Sequence, residues 1–88
     1  MAKPIKLKDL KVGKLVVRGD HPNAQVYTIA VIDRLNIQLI WFEGDRLCSQ
    51  WSDYSDCYTP TIEQIEDSLA LSGRLASRHD VRDILALT

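Results

Sequence analysis

Val26–Phe42 (VYTIAVIDRLNIQLIWF) is the stretch around which the rest of this chain is organised. It contains two runs of β-branched and aromatic residues, separated by a polar break at residues 33–36 (DRLN). Such runs, bounded by turn-forming residues, predict two paired strands. We therefore expect a hairpin of Val26–Ile32 with Ile37–Phe42, and we expect the flanking segments to fold around it.

The chain is the size of one small domain. Its 88 residues are enough for a single core and too few for two. Hydrophobic residues make up 45% and charged residues 26%, which is typical of folded globular domains and not of disordered chains. No apolar run approaches the roughly 18 residues of a membrane-spanning helix, and the N-terminus lacks the apolar block of a signal peptide. We expect one cytoplasmic domain over residues 1–88, without a membrane partner.

Residues that could carry catalysis or bind a metal are sparse. Cys48 and Cys57 are too few for a disulfide framework, and their spacing matches no zinc site. We expect two reduced thiols, with a redox-sensitive disulfide as the alternative. His21 and His79 each adjoin an aspartate, but the sequence indicates no nucleophile and no third group to orient them. The sequence therefore predicts no enzyme, no metal site and no cofactor.

Further strands are predicted on both sides of the hairpin. Residues 15–18 (LVVR) form a short strand, which a loop at residues 21–24 (HPNA) separates from the hairpin. A glycine-containing turn at residues 43–46 leads to residues 47–52 (LCSQWS), which alternate between two faces of a strand. Residues 53–58 predict a turn followed by a very short strand that returns to the sheet.

Two helices are predicted to follow the strands. The first begins at a capping box formed by Thr61 and Gln64 and ends near residues 72–73, where a serine precedes a glycine. A second helix is expected to begin at Ser77 or Asp80. The apolar stripes by which they should dock are Ile62, Ile65 and Leu69 in the first helix and Val81, Ile84 and Leu85 in the second.

This order of elements predicts an α+β fold that is mainly β. We expect a small antiparallel barrel of four to five strands over residues 12–58, followed by a helical appendage over residues 60–88. Residues 1–11 are expected to form a loosely ordered basic arm, which has Ile5, Leu7 and Leu10 to pack with.

The pattern of glycines and strands resembles that of small SH3-like barrels, including the KOW and Tudor-like types. Residues 12–19 (VGKLVVRG), followed by a loop and residues 26–29 (VYTI), are similar to the opening of those barrels, in which a glycine precedes the first strand. Ala24-Gln25 stand where a second glycine is usual in KOW barrels. The resemblance covers residues 12–58 and implies a bent meander of strands. The short layout also resembles small uncharacterised proteins of bacterial and phage genomes.

Aromatic residues around the predicted turn at residues 53–58 are the first candidates for a binding site. SH3-like barrels often use aromatic residues in loops and last strands to bind a peptide, a methylated cation or a stacked base. The alternative is that the aromatic residues fill the core, as we expect of Trp41 and Phe42. The candidates for peptide or partner binding are Trp51, Tyr54 and Tyr58, together with Asp53 and Asp56, whose charge would attract a basic ligand.

Basic residues near the N-terminus are the second candidates. Residues 1–18 carry six basic residues and one acidic residue, whereas residues 61–88 carry three basic and five acidic residues. The basic residues could contact phosphates and make binding salt-sensitive, or they could simply form a solvated edge. The candidates for nucleic-acid binding are Lys3, Lys6, Lys8, Lys11, Lys14 and Arg18.

The sequence favours a non-catalytic binding module. Protein or peptide binding through the turn aromatics and the C-terminal helices is the first interpretation, nucleic-acid binding through the basic arm and a barrel face is the second, and a small enzyme is the third. The two helical stripes exceed what one small barrel needs. One of them could contact a protein partner or a second copy of the chain, or both could pack on their own barrel.

Overall fold

The computed structural model describes residues 3–19, 25–72 and 75–76. Within these residues the chain is mainly β, with one α-helix after the strands. Short 3-10 helices span Leu7–Asp9 and Tyr54–Asp56. The elements are β1 (Lys3–Pro4), β2 (Leu15–Arg18), β3 (Tyr27–Asp33), β4 (Asn36–Glu43), β5 (Arg46–Asp53), β6 (Cys57–Thr59) and α1 (Ile62–Ser72).

The strands form one open antiparallel sheet in the order β1-β6-β2-β3-β4-β5. The predicted central hairpin is confirmed as β3 and β4, and the predicted strands after it are confirmed as β5 and β6. The predicted closed barrel is not confirmed, because its closure would require pairing between the outer strands and the described residues show none. β1 offers little to pair with, since it has two residues and one of them is Pro4, which has no N–H donor.

Two tight turns fix the register of the β3–β4–β5 meander. Asp33 pairs with Asn36 around one turn, and Glu43 pairs with Arg46 around the other. Gly44 adopts a φ of 63° without steric cost, whereas Arg34 adopts a φ of 59° at a cost of roughly 1 kcal/mol. A register shift between Ile29 and Val31 places a bulge in β3. From Val31 onward, after the bulge, side chains alternate between the two faces of the sheet, so each residue of the meander can be assigned to one face.

Among the described residues, the first face of the sheet carries the larger buried cluster. Its members come from β2, β3, β4 and β6 and from Ile5, which follows β1, with Tyr27, Tyr54 and Leu10 packed around them. On the second face, Ile40 and Phe42 pack with Ala30 and with Ala76, which follows α1 in the chain. The buried residues of the first face are Ile5, Val16, Ile29, Ile37, Leu39 and Cys57.

The segment that was expected to be a loose basic arm joins the sheet through β1. Ile5 is buried, and its backbone N–H donates to the carbonyl of Cys57 at 3.1 Å. Leu10 packs against the first-face cluster, as expected, but Leu7 is 51% exposed. Ile5 and Leu10 are therefore packed against the sheet, and residues 3–10 belong to the folded domain.

The helix α1 begins at the predicted capping box but does not dock by the predicted stripe. Of that stripe, Ile62 and Leu69 are exposed and Ile65 is half-buried, whereas Ser68 is 2% exposed. The Ser68 hydroxyl accepts hydrogen bonds from the Gln25 amide at 2.8 Å and from the Val26 N–H at 3.3 Å. A small polar side chain docks the helix because the backbone that enters β3 has a donor to satisfy there.

Two sequence predictions about the C-terminal region and one about a loop concern parts of the chain outside the described residues. These are the second helix with its stripe, the residue that stops α1 at position 73, and the loop at residues 21–24. None of the described residues lies in a helix that is both long enough and apolar enough to cross a membrane.

Candidate binding site at Trp51

Trp51 is the most exposed aromatic side chain of the sheet. It lies on β5, the outermost strand, and is 53% exposed. Its cross-strand partner on β4 is Gln38. Trp51 lines an open cavity of about 360 Å³ together with Asp33 and Asn36, which we call the Trp51 pocket.

The Trp51 pocket lies beside a row of polar side chains that crosses three strands. Asp33 pairs with Asn36, and Asn36 pairs with Asp53, so the three side chains share one face of the sheet. Neighbouring strands lie about 4.8 Å apart, which places the backbones of the two aspartates roughly 10 Å apart. Trp51 is two residues from Asp53 and therefore faces the same way. The arrangement puts two carboxylates beside one exposed indole.

The carboxylate of Asp53 is held in its ionised form. Its Oδ1 accepts hydrogen bonds from the backbone N–H of Ser55 at 2.9 Å and from the Ser55 hydroxyl at 2.8 Å. These two bonds lower the pKa of Asp53 below its usual value. Asp53 is exposed, so its charge is available to a ligand at neutral pH.

The other residues of the predicted peptide site do not line this pocket. Tyr54 is half-buried and packs against the first-face cluster. Tyr58 is half-buried in β6, where it pairs with Pro4 and Val17. Asp56 is exposed at the end of the 3-10 helix that follows β5. Of the five residues predicted from the sequence, Trp51 lines the pocket and Asp53 lies next to it.

Tyr27 and Trp41 form an aromatic pair on the first face of the sheet. The rings of Tyr27 and Trp41 meet edge to face, with centroids 5.0 Å apart and planes at 88°. The Trp41 indole N–H donates to a Glu43 carboxylate oxygen at 3.3 Å. Burial raises the pKa of the Tyr27 hydroxyl, against the opposing effect of the Arg18 guanidinium. Phe42 is in the core as expected. Trp41 is only half-buried, and its side chain contacts Tyr27 and Glu43.

The basic candidates are spread along the N-terminal segment. Lys6, Lys8 and Lys11 are exposed, and Lys14 is half-buried with its Nζ donating to the Asp9 carbonyl at 3.3 Å. A shallow cavity of about 330 Å³ lies between Lys11 and Lys14, but Asp9 lines it as well. Lys3 is in β1.

Arg18 differs from these lysines because part of its guanidinium is inside the protein. Its Nε is buried and has no hydrogen-bond partner among the described residues. The side chain is close enough to Tyr27 and Cys57 to affect the pKa of both groups. Arg18 was predicted to contact nucleic acid. Part of its side chain instead lies against the sheet, near Tyr27 and Cys57.

Both cysteines are free thiols, and they differ in exposure. Cys57 is fully buried and Cys48 is half-buried. Burial raises the pKa of the Cys57 thiol, which disfavours the reactive thiolate. Among residues 3–19, 25–72 and 75–76, histidine, cysteine and carboxylate side chains form no group of three that could hold a metal ion. His21 and His79 lie outside these residues.

Sequence reasoning missed Asp33 and Asn36 as site residues. They appeared only as the polar break between two strands, although the signal that connects them to Trp51 was present. A two-residue turn at Gly44–Asp45 pairs Glu43 with Arg46, and counting outward from this pair places Trp51 opposite Gln38 and Asp53 opposite Asn36. The turn therefore determines the neighbours of Trp51.

Comparison of the chain with protein-family models, with curated proteins and with solved structures finds no match in any of the three.

Proposed function

We propose that this chain is a non-catalytic protein-binding module that takes a basic side chain of its partner into the Trp51 pocket. The observation that carries the proposal is the exposure of Trp51, 53%, beside Asp33 and Asn36 on one face of the sheet. An indole attracts a cation to its ring face, and neighbouring carboxylates strengthen that attraction. The side chains that fit this chemistry are lysine, methylated lysine and arginine.

The size of the pocket supports a side chain as the ligand. Cavities that enclose whole small molecules have volumes of about 300–1,000 Å³, and most of their surface is apolar. The Trp51 pocket, at about 360 Å³, is at the small end of this range and is open to solvent. Of the described residues that line it, Asp33 and Asn36 are polar. An extended peptide that lies across the sheet and inserts one basic side chain matches these dimensions.

The charge of the pocket favours a protein ligand over a nucleic acid. Asp33 lines the pocket, and Asp53 lies beside it in the same row. Their carboxylates repel a phosphate backbone, whose neutralisation by lysine and arginine provides most of non-specific nucleic-acid affinity. The exposed Lys6, Lys8 and Lys11 are in the N-terminal segment and do not line this pocket. Nucleic-acid binding through those lysines is the alternative proposal.

Calorimetric titration with short peptides tests the proposal. Each peptide carries one arginine, lysine or trimethyl-lysine between neutral residues, and a peptide with glutamine at that position is the reference. We expect binding of at least one basic peptide, and we expect Trp51→Ala and Asp33→Asn each to weaken it by roughly tenfold. Trp51→Phe should retain part of the affinity because it keeps an aromatic face.

Glu63→Gln is the matched control for Asp33→Asn. Glu63 is an exposed carboxylate in the first turn of α1, so its replacement makes the same change in net charge away from the pocket. This variant should bind the peptide as the wild type does. A wild-type chain that binds no basic peptide but retards DNA or RNA at low salt would contradict the proposal and support the alternative.

A further inference from the structure

The outer strand β5 presents a long backbone edge. It has eight residues, is the last strand in the sheet order, and pairs with β4 without a register shift. The two-residue turn makes Glu43 and Arg46 exchange backbone hydrogen bonds, so the even-numbered residues 46–52 all bond to β4. The N–H and C=O groups of Leu47, Ser49 and Trp51 therefore point away from the sheet, and no described strand pairs with them.

This edge lacks the features that usually prevent strand addition. Proteins protect exposed edges with proline, lysine, bulges or very short strands. β1, at the opposite edge of the sheet, is protected in this way because it has two residues and one is Pro4. β5 has neither proline nor lysine, and no charged residue lies between Arg46 and Asp53. The two edges of one sheet thus differ in their capacity to pair.

We propose that β5 pairs antiparallel with β5 of a second copy of this chain, about a two-fold axis that passes midway between the two Ser49 residues. Such an axis is perpendicular to the sheet, so each residue meets a residue on the same face. Leu47 of each copy then lies opposite Trp51 of the other copy. Ser49 meets its own counterpart on the axis. The outward-pointing groups of these residues form roughly six backbone hydrogen bonds.

The side chains of β5 select this register. Leu47 is half-buried and Trp51 is 53% exposed on the same face, so their cross-strand contact covers apolar surface of both. An axis through Gln50 would also pair the outward-pointing groups, but it would place Leu47 opposite Asp53. That register removes water from a carboxylate without giving it a polar partner.

The charges at the ends of β5 select the antiparallel direction. Arg46 is the first residue of the strand and Asp53 is the last. In the antiparallel register about Ser49, Arg46 of one copy lies opposite Ser52 of the other and next to its Asp53, and Asp53 and Asp45 fall just beyond the paired residues 46–52. Parallel in-register pairing would instead place Arg46 beside Arg46 and Asp53 beside Asp53. The pattern of β5 is therefore complementary to itself, and a second copy of the chain is the partner that fits it.

The dimer is a proposal separate from peptide binding, and it does not block the Trp51 pocket. The Trp51 pocket is on the β4 side of Trp51, and the new contacts are on the other side. Because the two-fold axis is perpendicular to the sheet, both pockets open on the same face. Spacing along and between strands places the two Trp51 residues roughly 14 Å apart.

Light scattering coupled to size-exclusion chromatography, from about 1 μM to 1 mM of the full chain, tests this inference. We expect the wild type to change reversibly from monomer to dimer over that range. Ser49→Pro removes an outward-pointing N–H donor from each copy and leaves the hydrogen bonds to β4 in place. We expect it to weaken dimerisation roughly tenfold or more.

A pair of charge variants tests the position of the axis, even if the proline variant does not fold. Ser49 is exposed, so Ser49→Lys and Ser49→Glu should fold, and each should dimerise less tightly than the wild type because like charges meet on the axis. Their equimolar mixture should form a heterodimer more readily than either variant dimerises alone. Thr59→Lys, on an exposed position of the inner strand β6, is the control and should dimerise as the wild type does.

Three outcomes would overturn the inference. One is a wild type that stays monomeric up to 1 mM (about 4 kcal/mol of binding free energy). Another is a dimer that both Ser49 charge variants leave unchanged, which would place the contact elsewhere on the molecule. The third is a mixture that shows no preference for the heterodimer, which would exclude the axis at Ser49.

Discussion

Cys57 couples the stability of this protein to alkaline pH. Its side chain is fully buried in the first-face cluster, and burial raises its pKa. Above the ordinary thiol pKa of about 8.5, the unfolded chain releases a proton that the folded chain retains, so unfolding becomes easier as pH rises. The stabilisation is present in full below that pH and is lost progressively above it, by at most about 1.4 kcal/mol per pH unit.

Urea unfolding between pH 7 and pH 10 measures this effect when the wild type is compared with Cys57→Ala. The variant should be less stable at pH 7, because the cluster loses the volume of a sulfur atom. Its free energy of unfolding should nevertheless fall less steeply above pH 8.5 than that of the wild type. Equal slopes for the two proteins would show that Cys57 does not cause the alkaline loss of stability.

Single residues also show where sequence reasoning reached its limit in the pocket. The sequence left two alternatives for Trp51, an exposed binding residue or a core residue. The alternation of residues along the strand places Trp51 on one face, but it does not show whether that face is covered. Arg34 was harder to place, since a turn with φ of 59° is usually made by glycine or asparagine. Without an Asn-Gly signal, the sequence predicted a break at residues 33–36 but not the pairing of Asp33 with Asn36.

At the scale of elements, α1 depends on its first turn. The Thr61 hydroxyl accepts from the Gln64 N–H at 3.2 Å, and the Gln64 side chain accepts from the Thr61 N–H at 2.8 Å. Thr61→Ala should lower the free energy of unfolding in urea by about 1 kcal/mol, whereas Thr61→Ser should keep most of it. Thr59→Ala, at an exposed position of β6, is the control and should change it by less than about 0.5 kcal/mol. An unchanged value for Thr61→Ala would mean that α1 opens separately from the sheet.

The start of α1 was predictable and its docking was not. A capping box is a local pattern, so Thr61 and Gln64 could be recognised from their spacing alone. Docking depends on what the helix meets. Ser68 faces the Val26 N–H, and an isoleucine there would leave that donor without an acceptor. The helical stripe of Ile62, Ile65 and Leu69 indicated an apolar contact, but a polar contact through Ser68 holds the helix against the start of β3.

At the scale of the molecule, local pairings were predictable and distant ones were not. Two-residue turns join β3 to β4 and β4 to β5, so adjacent segments determine that half of the sheet. β6 lies between β1 and β2. Its residues therefore pair with residues more than 35 positions away in the chain. No turn specifies such pairings, and they form only because the first-face cluster brings Ile5, Val16 and Cys57 together. The resemblance to a closed barrel could not supply this order.

The same sheet predicts a pattern of amide hydrogen exchange. In dilute solution, amides of β4 should exchange more slowly than those of the edge strand β5, because all eight residues of β4 pair with β5 and residues 36–40 also pair with β3. Along β5, Cys48 and Gln50 should be protected by β4, whereas Ser49 and Trp51 should exchange quickly from the open edge. Exchange measured by NMR at increasing protein concentration should slow, among the β5 amides, at Leu47, Ser49 and Trp51, because the second copy covers only the outward-pointing groups. Equal protection of all β5 amides in a monomeric sample would mean that another part of the chain already covers this edge.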